Sequence, residues 1–226
     1  MKTILMKFTS RSRYATLKKC VQTYFDMANN TNDMVWIFTI DEDDDTFQLH
    51  DFQDFLIGLG INYHVFFGVS NSKIHAINRD ISLVKEDWDI LLNISDDQLP
   101  IVKGYDDIIR GAMPEHLDSS LWFLDGHQSA IITQEILGRK YYDNQGYVYY
   151  PEYKSFFCDN ESTEVATKHN KLVKINNCII KHFHPVWGRN DHISEDDLYR
   201  RNDIHWNHDQ ALYHFRKKNS FQDVQA

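Results

Sequence analysis

Ser95-Asp96-Asp97 closes the apolar run WDILLNI, so a buried segment delivers two adjacent carboxylates to one spot. Hard divalent cations such as Mn2+ or Mg2+ take oxygen ligands of this kind while keeping water and bridging phosphate oxygens. The same pair ahead of Gln-Leu-Pro also suits a helix cap, with Pro100 in the first turn. A second acidic group, Phe156-Phe157-Cys158-Asp159-Asn160-Glu161, precedes a helical pattern. There one acid can act as a general base and another as a partner of the helix dipole. In IIKHFHPVW, residues 179 to 187, alternation puts His182 and His184 on one face of a strand, and either can ligate a metal through neutral imidazole. Asp41 opens the run DEDDD directly after the apolar MVWIFTI, placed to accept hydrogen bonds from a ribose or a base edge; Asp43 to Asp45 suit a cap for the next helix. The first twenty residues hold Lys2, Lys7, Arg11, Arg13, Lys18 and Lys19 and no acid, a setting for a phosphate. His205 and His208 stand one helical turn apart and read as a helix surface rather than half a zinc site.

These groups need elements that bring them together. Thr3 to Phe8 reads as a strand, and Ser12 to Ala28 as an amphipathic helix with Tyr14, Leu17, Val21, Tyr24 and Phe25 at helical spacing. Met34 to Ile40 and Tyr63 to Val69 are strands, Phe47 to Leu59 and Ser72 to Lys85 helices, and Trp88 to Ile94 a fourth strand. Four strands alternating with helices predict a parallel, doubly wound sheet, whose ligands bind beyond the carboxyl ends of the strands. Polar and charged residues follow all four strands. After Pro100 the texture is mixed α+β: a helix over 103–111, apolar pieces over 121–125 and 130–137, a helix over 160–169 and a strand over 172–182. The tail from 194 to 221 reads as one or two helices packed outside.

The chain has 226 residues, 42% of them hydrophobic, enough for one substantial core without disulfide or structural metal. One domain is the economical reading: a nucleotide-binding half over 1–100, an acceptor and catalytic half over 101–190 and a helical tail over 191–226. A formal charge of −9 disfavours non-specific binding to nucleic acid or anionic membrane. Cys20, Cys158 and Cys178 form no CxxC pair and suit reduced thiols. MKTILMKF is too short for a signal-peptide core and no run approaches 18 apolar residues, so a soluble cytoplasmic protein is expected. Neither GxGxxG nor GxxxxGK[ST] is present, which argues against dinucleotide and P-loop chemistry.

The order of the pieces resembles a family 2-like nucleotide-sugar glycosyltransferase of the GT-A fold, of the small bacterial and phage type. KFTSRSRY at 7–14, TID at 39–41, NSKIHAINRDI at 71–81, WDILLNISDDQLP at 88–100, GRKYYDNQGYVYYPEYKSFFCDNESTEVA at 138–166 and IIKHFHPVWG at 179–188 carry the resemblance. It implies a GT-A-like, Rossmann-type, mostly parallel sheet flanked by helices, with an acceptor-side α+β half. It implies that Ser10, Arg11 and Asp41 hold the nucleotide of a UDP- or GDP-sugar, and that Lys73, with Arg79 second, contacts the diphosphate. The DxD motif that binds Mn2+ or Mg2+ is altered here to Ser95-Asp96-Asp97, with Asp97 the chief ligand and Asp96 beside the donor, or is shifted so that Ile94 replaces the first acid. Asp159 matches the catalytic base, Glu161 its substitute, and His184 or His182 completes the metal site. Trp122, Asp125 and His127 are expected along the sugar and acceptor pocket. The implied reaction is a single displacement with inversion at the anomeric carbon. The acceptor is a glycan, a protein or a modified nucleic-acid base, and the tyrosines between 141 and 153 either stack on it or pack in the core.

Two other readings compete. A nucleotidyltransferase of related topology would also gather basic loops and carboxylates about a nucleotide, although KFTSRSRY lacks its Gly-rich loop. An inert sugar- or nucleotide-binding domain would account for the altered DxD. An amidohydrolase would need its HxH after the first strand of a barrel, not near residue 182.

Overall fold

The computed structural model describes residues 1–183 and 203–222. Its centre is a seven-stranded sheet built from β1 (Ile4–Ser10), β2 (Met34–Asp41), β3 (Asn62–Gly68), β4 (Ile90–Ile94), β6 (Ser120–Phe123), β7 (Ile136–Gly138) and β8 (Leu172–Ile175). The strands lie in the order β3-β2-β1-β4-β7-β6-β8. The pairs β1 with β2, β1 with β4, β2 with β3 and β6 with β8 are parallel; β7 runs antiparallel to both neighbours. A separate two-stranded ribbon pairs β5 (Gln98–Pro100) with β9 (Ile180–His182). The helices are α1 (Tyr14–Met27), α2 (Leu49–Leu59), α3 (Lys73–Asn78), α4 (Tyr105–Ala112), α5 (Arg139–Gln145), α6 (Cys158–Lys168) and α7 (Trp206–Lys218).

All eight residues of β2 are buried, as a strand covered on both faces requires. Alternation along β1 then divides the core. Ile4, Met6 and Phe8 join Leu17, Val21 and Tyr24 of α1 in one layer, while Leu5 joins Ile74, Ile77, Trp88 and Tyr153 in the other. Rings fix the first layer: Phe8 stacks on Trp36 and Phe38 and meets Tyr24 edge-on. Lys7 falls on the second face, fully buried, and donates to Thr39 and to the Arg79 carbonyl.

The doubly wound first half forms as expected, with three differences of detail in the chain. The helix predicted over 72–85 ends at Asn78: Arg79 is extended, its guanidinium donating to the Ile40 carbonyl at 2.6 Å, and Asp80 takes a left-handed φ of 74° before a short 3-10 turn. Pro100 is no first-turn proline but the last residue of β5, so the Asp96-Asp97 pair precedes a strand. The strand predicted over 172–182 breaks at Asn176 to Ile179 into β8 and β9, which belong to different sheets. Sequence alternation registers faces but not a change of partner. Tyr141, Tyr149 and Tyr153 are buried and pack in the core.

Candidate functional site

The carboxyl ends of β1, β2, β3 and β4 open into one cleft of about 900 Å³, walled on the far side by the start of α6, by β9 and by the start of α7. Into it the fold brings Ser10, Arg11, Asp41, Lys73, Asp96, Asp97, Asp159 and His182 together. Of the residues expected in the site, Arg79, Asp125, His127 and Glu161 do not line this cleft, and His184 lies outside the described residues.

The basic first loop is already neutralised. Arg11 makes a fork to Asp43 and a 2.7 Å bond to Asp41, which raise its guanidinium further above its ordinary value. Arg13 pairs with Asp96 at 3.0 Å, Lys18 with Asp51 and Lys2 with Glu115. Lys73, exposed at the start of α3, makes no side-chain hydrogen bond or ion pair among the described residues, and its charge acts on Asp97 and Asp159 alike. Its ammonium therefore faces the cleft without a carboxylate partner among the described residues.

The two central acids have different partners. Asp96 accepts from Ser10 and Arg13; burial, aided by the neighbouring Asp97, pushes its carboxyl up against the pull of Arg13. Asp97 stands 3.5 Å from the His182 Nε2. Burial would raise it, but the bond to His182, that ring's charge, Lys73 and Ser95 together hold it well below the usual carboxylate range. The β5–β9 ribbon makes this pairing, because Gln98 is registered against His182 and the Phe183 N–H donates to the Asp97 carbonyl at 2.7 Å. Among the described residues no three His, Cys, Asp or Glu side chains gather as a cage. One carboxylate and one imidazole suit a Mn2+ or Mg2+ that takes its remaining ligands from phosphate and water, so the donor set fits such a cation.

Asp159 lies in the first turn of α6, accepting from the Asn160 N–H at 2.9 Å. Burial pushes its carboxyl above the ordinary aspartate range, against Asn160 and Lys73, as suits a group that must gain a proton. Phe157, just before it, holds a left-handed φ of 60°, a strained conformation for an aromatic residue that turns the chain into α6. Beneath α6 lies Glu135, fully buried and unforeseen from the sequence. It accepts from Ser120 and Ser162, and burial pushes it up to about 7.

The remaining candidates have structural partners. Glu161 does not line the cleft; it forms a buried pair with Arg216 of α7, at 2.8 Å, and accepts from Tyr153. Arg79 props the end of β2 through the Ile40 carbonyl and stands 3.6 Å from Asp41, under Gly68, where a Cβ would collide with its guanidinium. Asp125 accepts from the His127 and Gln128 N–H groups and from Thr133, shaping its own loop. Trp122 is buried with Lys174 over its ring.

No protein-family model matches the chain, and no curated protein sequence matches it significantly. Solved structures match in fold. The mannosyltransferase PcManGT of Pyrobaculum calidifontis, solved with GDP-Man and Mn2+, has a TM-score of 0.65 at 7% identity, covering 80% of this chain and 56% of its own. S. aureus TarS 1-349 in complex with UDP has a TM-score of 0.60 at 14% identity, over 80% of this chain and 60% of its own. The 4-diphosphocytidyl-2C-methyl-D-erythritol synthase of Anaerococcus prevotii has a TM-score of 0.54 at 12% identity, over 90% of this chain and 96% of its own. The chain spans little more than half the length of the first two. Its fold is a GT-A-like, mostly parallel α/β sheet.

Proposed function

We propose that the protein is a glycosyltransferase that moves a sugar from a UDP- or GDP-sugar to a hydroxyl acceptor with inversion. One observation carries this reading: a single cleft at the strand ends of a GT-A-like fold joins an available cation, Lys73, to the Asp97–His182 pair and to the raised carboxyl of Asp159. Asp41 and Ser10 suit the ribose and base, and Lys73 the diphosphate. Asp97 and His182 would hold Mn2+ or Mg2+, which supplies charge neutralisation at the leaving diphosphate when bound. The acceptor oxygen attacks the anomeric carbon, the bond from that carbon to the diphosphate oxygen breaks, and the hydroxyl proton passes to Asp159. Lys73 stabilises charge that grows on the leaving group, and donors aimed at developing charge are typically worth a few kcal/mol of barrier.

A second reading has its own support. The Anaerococcus synthase, whose named product carries a cytidyl diphosphate, is nearly the length of this chain, and nucleotidyl transfer would use the same cleft. Isothermal titration of UDP- and GDP-sugars with Mn2+, then mass spectrometry of reactions with a nucleotide-sugar panel, separates the two. Metal-dependent binding with release of UDP or GDP is expected. Pyrophosphate release from CTP or another triphosphate, with no sugar-nucleotide turnover, would favour the second reading; binding without turnover, unaltered by Asp159→Asn, would mark an inert domain.

A further inference from the structure

The cleft, at about 900 Å³, lies near the top of the ~300–1,000 Å³ range of small-molecule sites. Its outer wall is aromatic. Trp206, the first residue of α7, is 48% exposed and lines the cleft with Phe156, Phe157 and His205. The Phe156 and Phe157 rings meet it at 5.1 and 4.9 Å with interplanar angles of 61° and 64°, T-shaped contacts that brace the indole. No described ring stacks face to face on it.

The bracing is built in. Fully buried Asp209 accepts from the N–H groups of Lys154, Ser155 and Phe156, at 3.0, 2.7 and 2.8 Å, tying α7 to the loop before α6. Phe157 also stacks on Tyr213 one face further along α7. The indole is therefore fixed relative to Asp159, two residues past Phe157, by the same loop that sets that carboxylate.

We infer that Trp206 is the floor of an acceptor subsite for a pyranose ring, whose apolar C–H face lies on the indole while one hydroxyl reaches Asp159. This rests on the glycosyltransferase reading. Charge points to a sugar rather than a nucleic acid: the cleft's arginines are held by Asp41, Asp43 and Asp96, exposed Asp203 lines the same cleft as the indole, and phosphate-backbone recognition would need free cations at this wall. His205, Asp203 and Asn160 offer the hydrogen-bonding rim that ring hydroxyls require.

The test observes the indole directly. Protein labelled with 5-fluorotryptophan gives a 19F signal for Trp206, assigned by its loss in Trp206→Phe. Methyl glycosides of glucose, galactose, mannose and N-acetylglucosamine are titrated with Mn2+ and UDP or GDP present. A saturable shift of that signal with at least one glycoside is expected, and in transfer assays Trp206→Ala should raise acceptor KM about tenfold or more, with Trp206→Phe recovering most of it. Phe215→Ala, on an exposed position of α7 away from the cleft, is expected to behave as wild type. No shift with any glycoside up to 100 mM, or a shift with oligothymidylate alone, would overturn the inference. Failure of the nucleotide-sugar titrations on unlabelled protein would instead overturn the glycosyltransferase reading on which it rests.

Discussion

The roles proposed for Asp159 and Lys73 can be separated experimentally. A carboxyl whose pKa is raised is ionised only above that value, so a base of this kind makes turnover fall as pH drops through a point above the ordinary aspartate range. Asp159→Asn should lower kcat for transfer by roughly 10²–10⁴ and abolish that acid limb while nucleotide-sugar affinity stays within a few-fold. A variant that keeps both its rate and its pH profile would remove Asp159 from the base role. Lys73 acts through charge alone, being unbonded to protein among the described residues, so Lys73→Met should weaken UDP or GDP binding by about tenfold and lose part of the salt dependence of that binding, as calorimetry at two ionic strengths would show. The contrast with Arg11 is instructive: a guanidinium forked between two carboxylates orders the strand ends more than it attracts a ligand.

At the scale of elements, α7 matters because it holds the outer wall. Its anchor is the Glu161–Arg216 pair, both side chains buried, with the guanidinium also over the Tyr150 ring at 3.2 Å and a second tie from Tyr213 and Lys217 to Glu164. Breaking a buried pair strands a charge, so Arg216→Met should cost about 3–5 kcal/mol in urea unfolding, and the double change Glu161→Leu with Arg216→Met should recover much of it. Equal losses in single and double variants would mean that packing, not the pair, holds α7. This pair shows what could be read beforehand. Strand-to-strand alternation, the acids at β2 and β4 and the position of Asp159 were legible because local periodicity and strand ends encode them. Glu161 next to Asp159 has the same composition signal but points the other way, since a helix separates residues two apart onto opposite sides. Its partner sits 55 positions along the chain, a distance at which no local pattern speaks. Trp206 and Glu135 were hidden for the same reason, as was the pairing of Gln98 with His182, which depends on a ribbon formed across the two halves.

For the molecule as a whole, Lys7 and Glu135 bend stability in opposite directions about neutrality. Lys7, enclosed in the sheet, is pushed down to about 7 by burial, so between there and 10.5 the unfolded chain binds a proton that the fold does not, and stability rises with pH. Glu135 is pushed up to about 7, so from 4.5 upward to that point the fold retains a proton that the unfolded chain has released, and stability falls. Together they place a minimum near neutrality between two more stable flanks, each arm on the order of 3–5 kcal/mol before relaxation reduces it. Asp96 and Asp159, also raised by burial, add to the fall on the acid side, the paired acids Asp97 and Asp106 lose their contribution only at lower pH, and the buried cysteines and tyrosines oppose the basic arm only above about 9 and 10, so the trough stays near neutrality. Urea midpoints at pH 5, 7 and 9 test this. Glu135→Gln should make the acid side shallower and Lys7→Met the basic side, each leaving the other arm in place, because their windows, 4.5 to about 7 and about 7 to 10.5, lie on opposite sides of neutrality. A wild-type curve without a dip, unchanged by either substitution, would mean that water reaches both groups and that this sheet is less sealed than its packing requires.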